Sequence, residues 1–373
     1  MNLYDHHLDD SELQPFFIDK NTVDDNARAA ALVRQQSDPV RGWPRYIRNL
    51  DAYSRILRDH VNVQGIDIVV TLNETRAPSV TAKTFESKCI NSGPCMLCHL
   101  DIEQKGVLTL DDRYLILVNP GITIPGDLTI ASVNHEPQII VDSFDDMVSL
   151  SKMLTDYLLF FNGAMAGASS SHFHFQAGIK NTLIAERQID RLLDGLPVGN
   201  AELVPLHKSD TGRIFFLNKY LRAVYLIEST DDQELIRLFQ QFFIDLRAMN
   251  QKMIRNISNV PDFGGSIRSL NMDETEPRMN LALKYFPETS KYQLLIFPKI
   301  FNRPSVYFKK GAQQIIVGMA IKESLGNLIS CRTSDYQKLL ESTKLISEIY
   351  NDTSISTAMA DELNQSLRTV FSF

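Results

Sequence analysis

The sequence predicts an α+β protein of two domains. Short runs of β-branched and apolar residues, typical of strands, alternate with stretches in which apolar residues recur every three or four positions, typical of helices. The chain has 373 residues, and at about 150 residues per domain this length favours two domains. A hydrophobic fraction of 44% and a charged fraction of 22% are those of a globular chain, and they exclude a collagen-like or wholly disordered one.

Charge and hydropathy exclude further classes of protein. The chain has 38 Lys and Arg against 45 Asp and Glu, a net charge of −7, which argues against nucleic acid as a partner. No apolar run approaches the ~20 residues of a membrane helix, so we expect no membrane association. The first ten residues lack the basic and apolar segments of a signal peptide. We therefore expect a cytoplasmic protein.

The elements of the first half follow an N-terminal arm. Residues 1–50 are polar and are interrupted by Pro and Gly, so we expect an arm with short helices. Strands are predicted over 65–72, 113–119 and 127–133, where β-branched and apolar residues dominate. A fourth strand is predicted over 172–179.

One helix is predicted between the third and fourth of these strands. Ser143 is a candidate N-cap, and Asn162 and Gly163 are candidates for the end of the helix. Between them, apolar residues recur at helical spacing, namely Met147, Leu150, Leu154, Tyr157 and Phe161.

The second half begins near residue 200, where Gly and Pro cluster without a long linker. We therefore expect an arm over 1–50, one domain over 51–200 and a second over 201–373. The same patterns predict further strands over 214–216, 223–227, 281–285 and 292–297, and helices over 235–249, 334–348 and 357–369.

The residues most suggestive of chemistry are His172-Phe173-His174-Phe175-Gln176. Alternate residues of a strand face one side, so the two histidines and the glutamine share a face and the phenylalanines share the other. The alternative is a half-exposed strand that merely carries polar residues. The preceding loop, Gly167-Ala168-Ser169-Ser170-Ser171, would let backbone N–H groups and hydroxyls approach a phosphate.

Cys95 and Cys98 form a C-x-x-C pair with three alternative interpretations. They could be a redox pair, inert core residues, or two of the four ligands of a zinc ion. The surrounding sequence does not resemble a thioredoxin-like unit. If a metal binds, His135 and His172 are the best remaining ligands, and Fe(II) suits such a set as well as zinc does.

These residues together resemble the galactose-1-phosphate uridylyltransferase branch of the histidine triad (HIT) superfamily. The resemblance covers about residues 70–180, and the H-F-H-F-Q motif with Asn162 ten residues before it is most similar to the GDP-hexose phosphorylases. Dinucleoside polyphosphate phosphorylases belong to the same branch. The resemblance implies two HIT-like halves, each an antiparallel sheet flanked by helices. Only the first half, residues 51–200, carries the motif.

The resemblance also implies a role for each matched residue. His174 would attack the α-phosphorus of a nucleotide and form a nucleotidyl-histidine intermediate, and Gln176 would bind the non-bridging oxygens. Phosphate contacts would come from Ser169, with Gly167 in its loop, and Asn162 would support the loop or the reacting histidine. A structural zinc would be held by Cys95, Cys98, His135 and His172. Looser matches for nucleotide contacts are Asn73, Arg76 and Lys83.

The expected function is nucleotidyl transfer, with phosphorolysis of a nucleotide sugar or a dinucleoside polyphosphate preferred. Phosphate or a sugar phosphate would be the acceptor. Phe173 stands where uridylyltransferases usually have Pro, and Gln176 stands where HIT hydrolases have a third histidine. Two alternatives stay open: a hexose-1-phosphate nucleotidylyltransferase and a catalytically inactive nucleotide-binding regulatory protein. A homodimer is the candidate assembly.

Overall fold

The α+β class predicted from the sequence is confirmed, and the strands form one large and one small sheet. The structure is a computed structural model that describes residues 3–77, 80, 95–256 and 276–371. The strands are β1 (Leu57–Val63), β2 (Ile66–Leu72), β3 (Gly106–Thr109), β4 (Tyr114–Val118), β5 (Leu128–Ser132), β6 (Tyr157–Asn162), β7 (His174–Ile179), β8 (Glu202–Lys208), β9 (Gly212–Asn218), β10 (Tyr225–Ser229), β11 (Met279–Phe286), β12 (Lys291–Pro298) and β13 (Asn327–Ser330). The α-helices are α1 (Asp10–Leu13), α2 (Asp25–Gln36), α3 (Pro44–Ser54), α4 (Phe144–Met153), α5 (Ile184–Leu193), α6 (Asp232–Asn256), α7 (Ile321–Ser324), α8 (Thr333–Glu341), α9 (Thr343–Thr353) and α10 (Thr357–Val370).

The large sheet has ten strands in the order β3-β4-β5-β7-β6-β11-β12-β10-β9-β8. All neighbouring pairs in it are antiparallel. Read from its two edges inward, the sheet has the orders β3-β4-β5-β7-β6 and β8-β9-β10-β12-β11. In each half the fifth strand along the chain lies between the third and the fourth, so the two halves have the same topology. They meet where β6 pairs with β11, with Phe160 opposite Ala282. The two antiparallel halves are thus joined into one continuous sheet.

The small sheet covers one face of the large sheet. In it β2 pairs antiparallel with β1 and parallel with β13. Apolar side chains of β2, such as Ile68 and Val70, belong to the same core as Phe160 and Ala282 of the large sheet. The opposite face of the large sheet packs against α2, α4, α6 and α10 in a second core.

The helix predicted through Tyr157 and Phe161 is wrong in its second part. Helix α4 ends at Met153, and Tyr157 begins strand β6. Every residue of β6 is buried, because this central strand faces a core on both sides. An apolar run of that kind has no period of its own, so the three- and four-residue spacing carried over from α4 was coincidental.

Two other predicted boundaries differ from the structure. The strand expected from residue 172 begins at His174, and His172 forms an isolated bridge with Pro137. The helix expected over 334–348 is divided into α8 and α9 at Ser342, whose hydroxyl oxygen accepts a hydrogen bond from the N–H of Leu345 (3.2 Å).

The N-terminal arm packs closely on the first half. It contains α1, α2 and α3, and Leu32 and Trp43 are buried in the core on the helical face of the large sheet.

Among the described helices, none has the length and apolarity that crossing a membrane requires.

Candidate active site and metal site

Strand β7 separates a polar face from an apolar one, as its alternating sequence predicts. Phe173 and Phe175 pack into the core on the helical face of the sheet, with ring centroids 5.0 Å apart. His174 and Gln176 point the other way and line a cavity. The alternation of side chains along a strand is sufficient to produce this division.

His174 is buried, with 4% of its surface exposed, and its ring has a defined orientation. Its Nδ1 lies 2.8 Å from the carbonyl oxygen of His172. A carbonyl can only accept, so Nδ1 carries the proton and Nε2 carries the lone pair in the neutral ring. Burial lowers the pKa of His174 to about 4, which keeps the ring neutral.

The cavity lies between the two halves of the chain. Six of the residues predicted as catalytic or substrate-binding line it: Arg76, Asn162, Gly167, Ser169, His174 and Gln176. The C-terminal part of the chain contributes the opposite wall, which includes Asn302, Arg303 and the segment Gly318–Glu323. Gly167 has a φ of +116°, and a Cβ at this position would lie 3.0 Å from both Asn302 Oδ1 and the Ala320 Cβ. Only glycine suits this contact.

Two amide side chains connect the strands at the cavity. Gln138 accepts a hydrogen bond from the N–H of His174 (2.8 Å) and donates to the carbonyls of Asn162 and His174 (both 3.0 Å). Asn162 accepts from the N–H of Ile321 (2.8 Å) and donates to Oε1 of Gln176 (3.4 Å). Gln138 therefore holds β6 and β7 together, and Asn162 links Gln176 to the second half.

The structure brings Cys95, Cys98, His135 and His172 together. One ligand atom from each lies within 4.8 Å of all the others. The Sγ of Cys98 is 3.1 Å from Nδ1 of His135 and 3.3 Å from Nδ1 of His172, as expected of neighbouring ligands around a small ion. The four residues could therefore hold a metal ion.

His172 and the two thiols have the chemistry of ligands. The Nε2 of His172 donates to the carbonyl of Ser132 (2.6 Å), so its Nδ1 lone pair faces the cysteines. For Cys95, burial raises the pKa, but hydrogen bonds with His172 and Ser170 outweigh it and bring the pKa to about 6. For Cys98, burial and the neighbouring Cys95 raise the pKa to about 11.

Two of the predicted substrate-binding residues, Asn73 and Lys83, are not among the described residues that line the cavity. Asn73 is buried and outside the cavity lining, where its side chain caps the turn at Thr75 and donates to the Ile122 carbonyl (3.1 Å). Lys83 lies outside the described residues. The two substrate contacts predicted for Asn73 and Lys83 stay predictions.

Sequence reasoning missed part of the cavity wall. Lys322 and Glu323 line the cavity, and the buried Lys322 ammonium pairs with Asp127 at 2.6 and 2.7 Å. Burial lowers the pKa of Lys322, although the Asp127 charge opposes this. No local motif marks these residues. Long-range contacts bring this segment to the first half, among them the pairing of β13 with β2 and the hydrogen bond from Ile321 to Asn162.

The comparisons with known proteins support the fold. Residues 32–179 match the model of a family described as a domain of unknown function, DUF4922. No curated protein matches the chain. The crystal structure of yeast Ap4A phosphorylase Apa2 is similar at 13% identity and a TM-score of 0.52, over 84% of this chain and 97% of that one. Its complex with AMP is similar at 14% identity and a TM-score of 0.50, over 83% and 94%. The shared fold therefore extends over both halves and beyond the matched domain.

Proposed function

We propose that this protein is a nucleotidyltransferase that forms a nucleotidyl-histidine at His174, and that it catalyses the phosphorolysis of a dinucleoside polyphosphate. The observation that carries the proposal is the hydrogen bond from Nδ1 of His174 to the His172 carbonyl. It leaves Nε2 as the lone-pair nitrogen of a side chain that lines the cavity. The fold shared with Ap4A phosphorylase favours a dinucleoside polyphosphate over a nucleotide sugar.

The reaction has two displacements at one phosphorus atom. In the first, Nε2 of His174 forms a bond to the α-phosphorus while the bond from that phosphorus to the bridging oxygen breaks, and a nucleoside polyphosphate leaves. In the second, an oxygen of inorganic phosphate attacks the same phosphorus and the P–N bond breaks, which releases a nucleoside diphosphate. The Nδ1 proton stays on the ring throughout and is held by the His172 carbonyl.

The neighbouring side chains can stabilise the negative charge on the phosphate oxygens in the transition state. Asn162 donates to Oε1 of Gln176, which leaves the Gln176 NH₂ to donate to a non-bridging phosphate oxygen. Arg76 donates to the Gly121 carbonyl (3.1 Å) and places positive charge at the same cavity. Ser169 is exposed at the cavity edge, where its hydroxyl would bind a more distant phosphate.

We infer that the metal is a structural zinc held by Cys95, Cys98, His135 and His172. A donor set of two thiols and two imidazoles is typical of structural zinc sites. The ion would immobilise His172, whose carbonyl orients the reacting His174. We place the reaction in the cytoplasm.

Intact-protein mass spectrometry tests the covalent intermediate. Wild type, His174→Ala and His60→Ala would be incubated without phosphate with diadenosine tetraphosphate and with a panel of nucleotide sugars. His60 is exposed on β1 and serves as the matched histidine control. We expect one nucleotidyl group to be added to wild type and His60→Ala, and none to His174→Ala.

Other outcomes would redirect the proposal. An adduct from a nucleotide sugar alone, with turnover that requires a sugar phosphate, would favour the hexose-1-phosphate nucleotidylyltransferase. Tight nucleotide binding without any adduct would favour the inactive binding protein. An adduct that persists in His174→Ala would exclude His174 as the nucleophile.

A further inference from the structure

A second, smaller cavity adjoins the candidate active site. Met319 lines both cavities, and the second has a volume of about 10 Å³. Its polar lining comes from Arg222, Lys299, Ser324, Thr353 and Ser354. No acidic side chain is among the described residues that line it. A space of this size holds one body about as large as a water molecule.

Arg222 is a buried cation with unused hydrogen-bond donors. Only 7% of its surface is exposed, and its guanidinium lies over the rings of Tyr220 and Tyr350 at 4.7 and 4.6 Å from the centroids. Its Nε donates to the carbonyl of Ser324 (2.6 Å). Among the described residues neither Nη1 nor Nη2 has a hydrogen-bond partner. Two donor nitrogens of a buried charge are therefore left for a ligand, and leaving them unsatisfied would be costly.

Lys299 places a second buried cation at the same cavity. Its Nζ donates to the Met319 carbonyl and lies 3.4 Å from the hydroxyl of Ser324. The negative charge of Glu323 opposes the effect of burial on the pKa of Lys299. The Glu323 carboxylate accepts a hydrogen bond from the N–H of Ala320 (3.0 Å). Burial lowers the pKa of Lys299 to about 7, as expected of an ammonium that has no ion-pair partner in the described part of the chain.

A hydroxyl completes the donor set. Ser354 Oγ accepts a hydrogen bond from the N–H of Ala223 (2.8 Å), so its own O–H is available to donate. Phe297 and Pro298 form an apolar part of the wall. The cavity thus combines two cations, a hydroxyl donor and low polarity, which is the environment that a small anion requires.

We propose that this cavity binds one halide-sized monovalent anion, such as chloride, between Arg222 and Lys299. Such an ion would satisfy the guanidinium donors and neutralise buried positive charge. A space of about 10 Å³ is closer to the size of a monatomic ion than to that of inorganic phosphate. The proposal concerns binding, so it stands or fails independently of the proposed function.

The bound ion would also stabilise one wall of the candidate active site. Arg222 and Lys299 hold the carbonyls of Ser324 and Met319, at the two ends of a segment whose Ile321 N–H binds Asn162. An anion between the two cations would keep both in place. The segment would then be more rigid when the ion is bound.

Thermal denaturation in chloride and in gluconate tests the proposal. Sodium chloride would be titrated against sodium gluconate at constant ionic strength, with wild type, Arg222→Gln and Arg213→Gln as samples. Arg213 pairs with Glu228 and is half exposed, so it controls for the loss of an arginine charge. We expect Tm to rise with chloride and saturate in wild type and in Arg213→Gln. In Arg222→Gln the chloride concentration at half-saturation should rise at least about tenfold.

Three results would overturn the proposal. A Tm that stays constant as chloride replaces gluconate at fixed ionic strength would mean that chloride has no specific site. An unchanged chloride titration in Arg222→Gln would place any binding elsewhere. A saturable response to inorganic phosphate but not to chloride would mean that the ligand is larger than a halide.

A second measurement keeps the test decisive if Arg222→Gln does not fold. Chloride-35 NMR on wild type should show excess line broadening that bromide competes away, and Lys299→Met should reduce the broadening severalfold. The absence of excess broadening in wild type would mean that the cavity holds water instead of an anion.

Discussion

The two halves of the large sheet have the same topology but different chemistry at equivalent positions. Strands β5 and β10 occupy equivalent places in the two halves. Each has five residues, so the two strands can be superimposed residue by residue. His174 of β7 lies opposite the penultimate residue of β5, and Gln293 of β12 lies opposite the penultimate residue of β10. The same alignment places Gln176 at the position of Leu295.

The equivalent residues of the second half serve packing and ion pairs. Gln293 donates to the buried Glu228 (3.3 Å), and Leu295 packs in the core between the sheets. Lys284, which corresponds to Asn162, pairs with Asp190 at 2.8 Å. One topology therefore supports either a strand that lines the candidate active site or one that serves packing and ion pairs. The difference comes from three side chains and from what covers them.

The largest expected effect is on the rate of nucleotidyl transfer, where substitution of His174 is compared with substitution of Gln293. His174→Ala should lower the rate of nucleotidyl transfer at least about a thousandfold, because no other group replaces a lost nucleophile. Gln293→Ala, at the equivalent position, should leave the rate within a few fold. Single-turnover release of nucleotide from diadenosine tetraphosphate measures both. Equal losses would mean that the two halves share the reaction.

The next effect concerns the oxyanion donor. Gln176→Leu places in β7 the residue that β12 has at that position, and should slow adduct formation about a hundredfold while His174 still reacts. Leu295→Met is the volume-conserving control in the second half. The rate of adduct formation is followed by quenched-flow mass spectrometry. A fall in the amount of adduct with no change in rate would argue against this role.

Loss of the metal should have a smaller effect on activity and a clear one on stability. His135→Ala removes a ligand, and should lower bound zinc below one per chain, lower Tm, and reduce transfer about ten- to a hundredfold. His99→Ala, an exposed histidine beside Cys98 and outside the ligand cluster, is the control. Elemental analysis and calorimetry check the result. Full activity of zinc-free His135→Ala would show that His172 needs no metal to hold its place.

The smallest expected effect concerns the residue that links the halves. Asn162→Ala removes the donor to Gln176 and the acceptor for the Ile321 N–H, and should lower kcat about tenfold. Lys284→Met at the equivalent position should leave kcat unchanged. If Asn162 acts by orienting Gln176, the double variant Asn162→Ala/Gln176→Leu should be no slower than Gln176→Leu alone. Additive losses would indicate an independent contact of Asn162 with the substrate.

Local patterns predicted the parts of the site that lie on single segments. The alternation in β7 is enough to direct His174 and Gln176 away from the phenylalanines, because side chains alternate along any strand. The spacing of apolar residues wrongly predicted a helix where the structure has strand β6. This strand is buried on both faces, so it has no polar face that would give its sequence an alternating pattern. Asn73 shows a different limit, since an amide can cap a turn or bind a ligand with the same chemistry.

The sequence by itself determined the α+β class, the polar face of β7 and the set of cysteines and histidines that could hold a metal. Each of these depends on neighbouring residues or on the chemistry of a residue type. Only the tertiary structure decided that Lys322 and Glu323 complete the cavity, because the pairing of β13 with β2 and the hydrogen bond from Ile321 to Asn162 bring their segment there. The tertiary structure also brings Arg222 and Lys299 together at the second cavity. Their burial without a paired carboxylate, among the described residues, follows from how the second half packs and from no pattern along the chain.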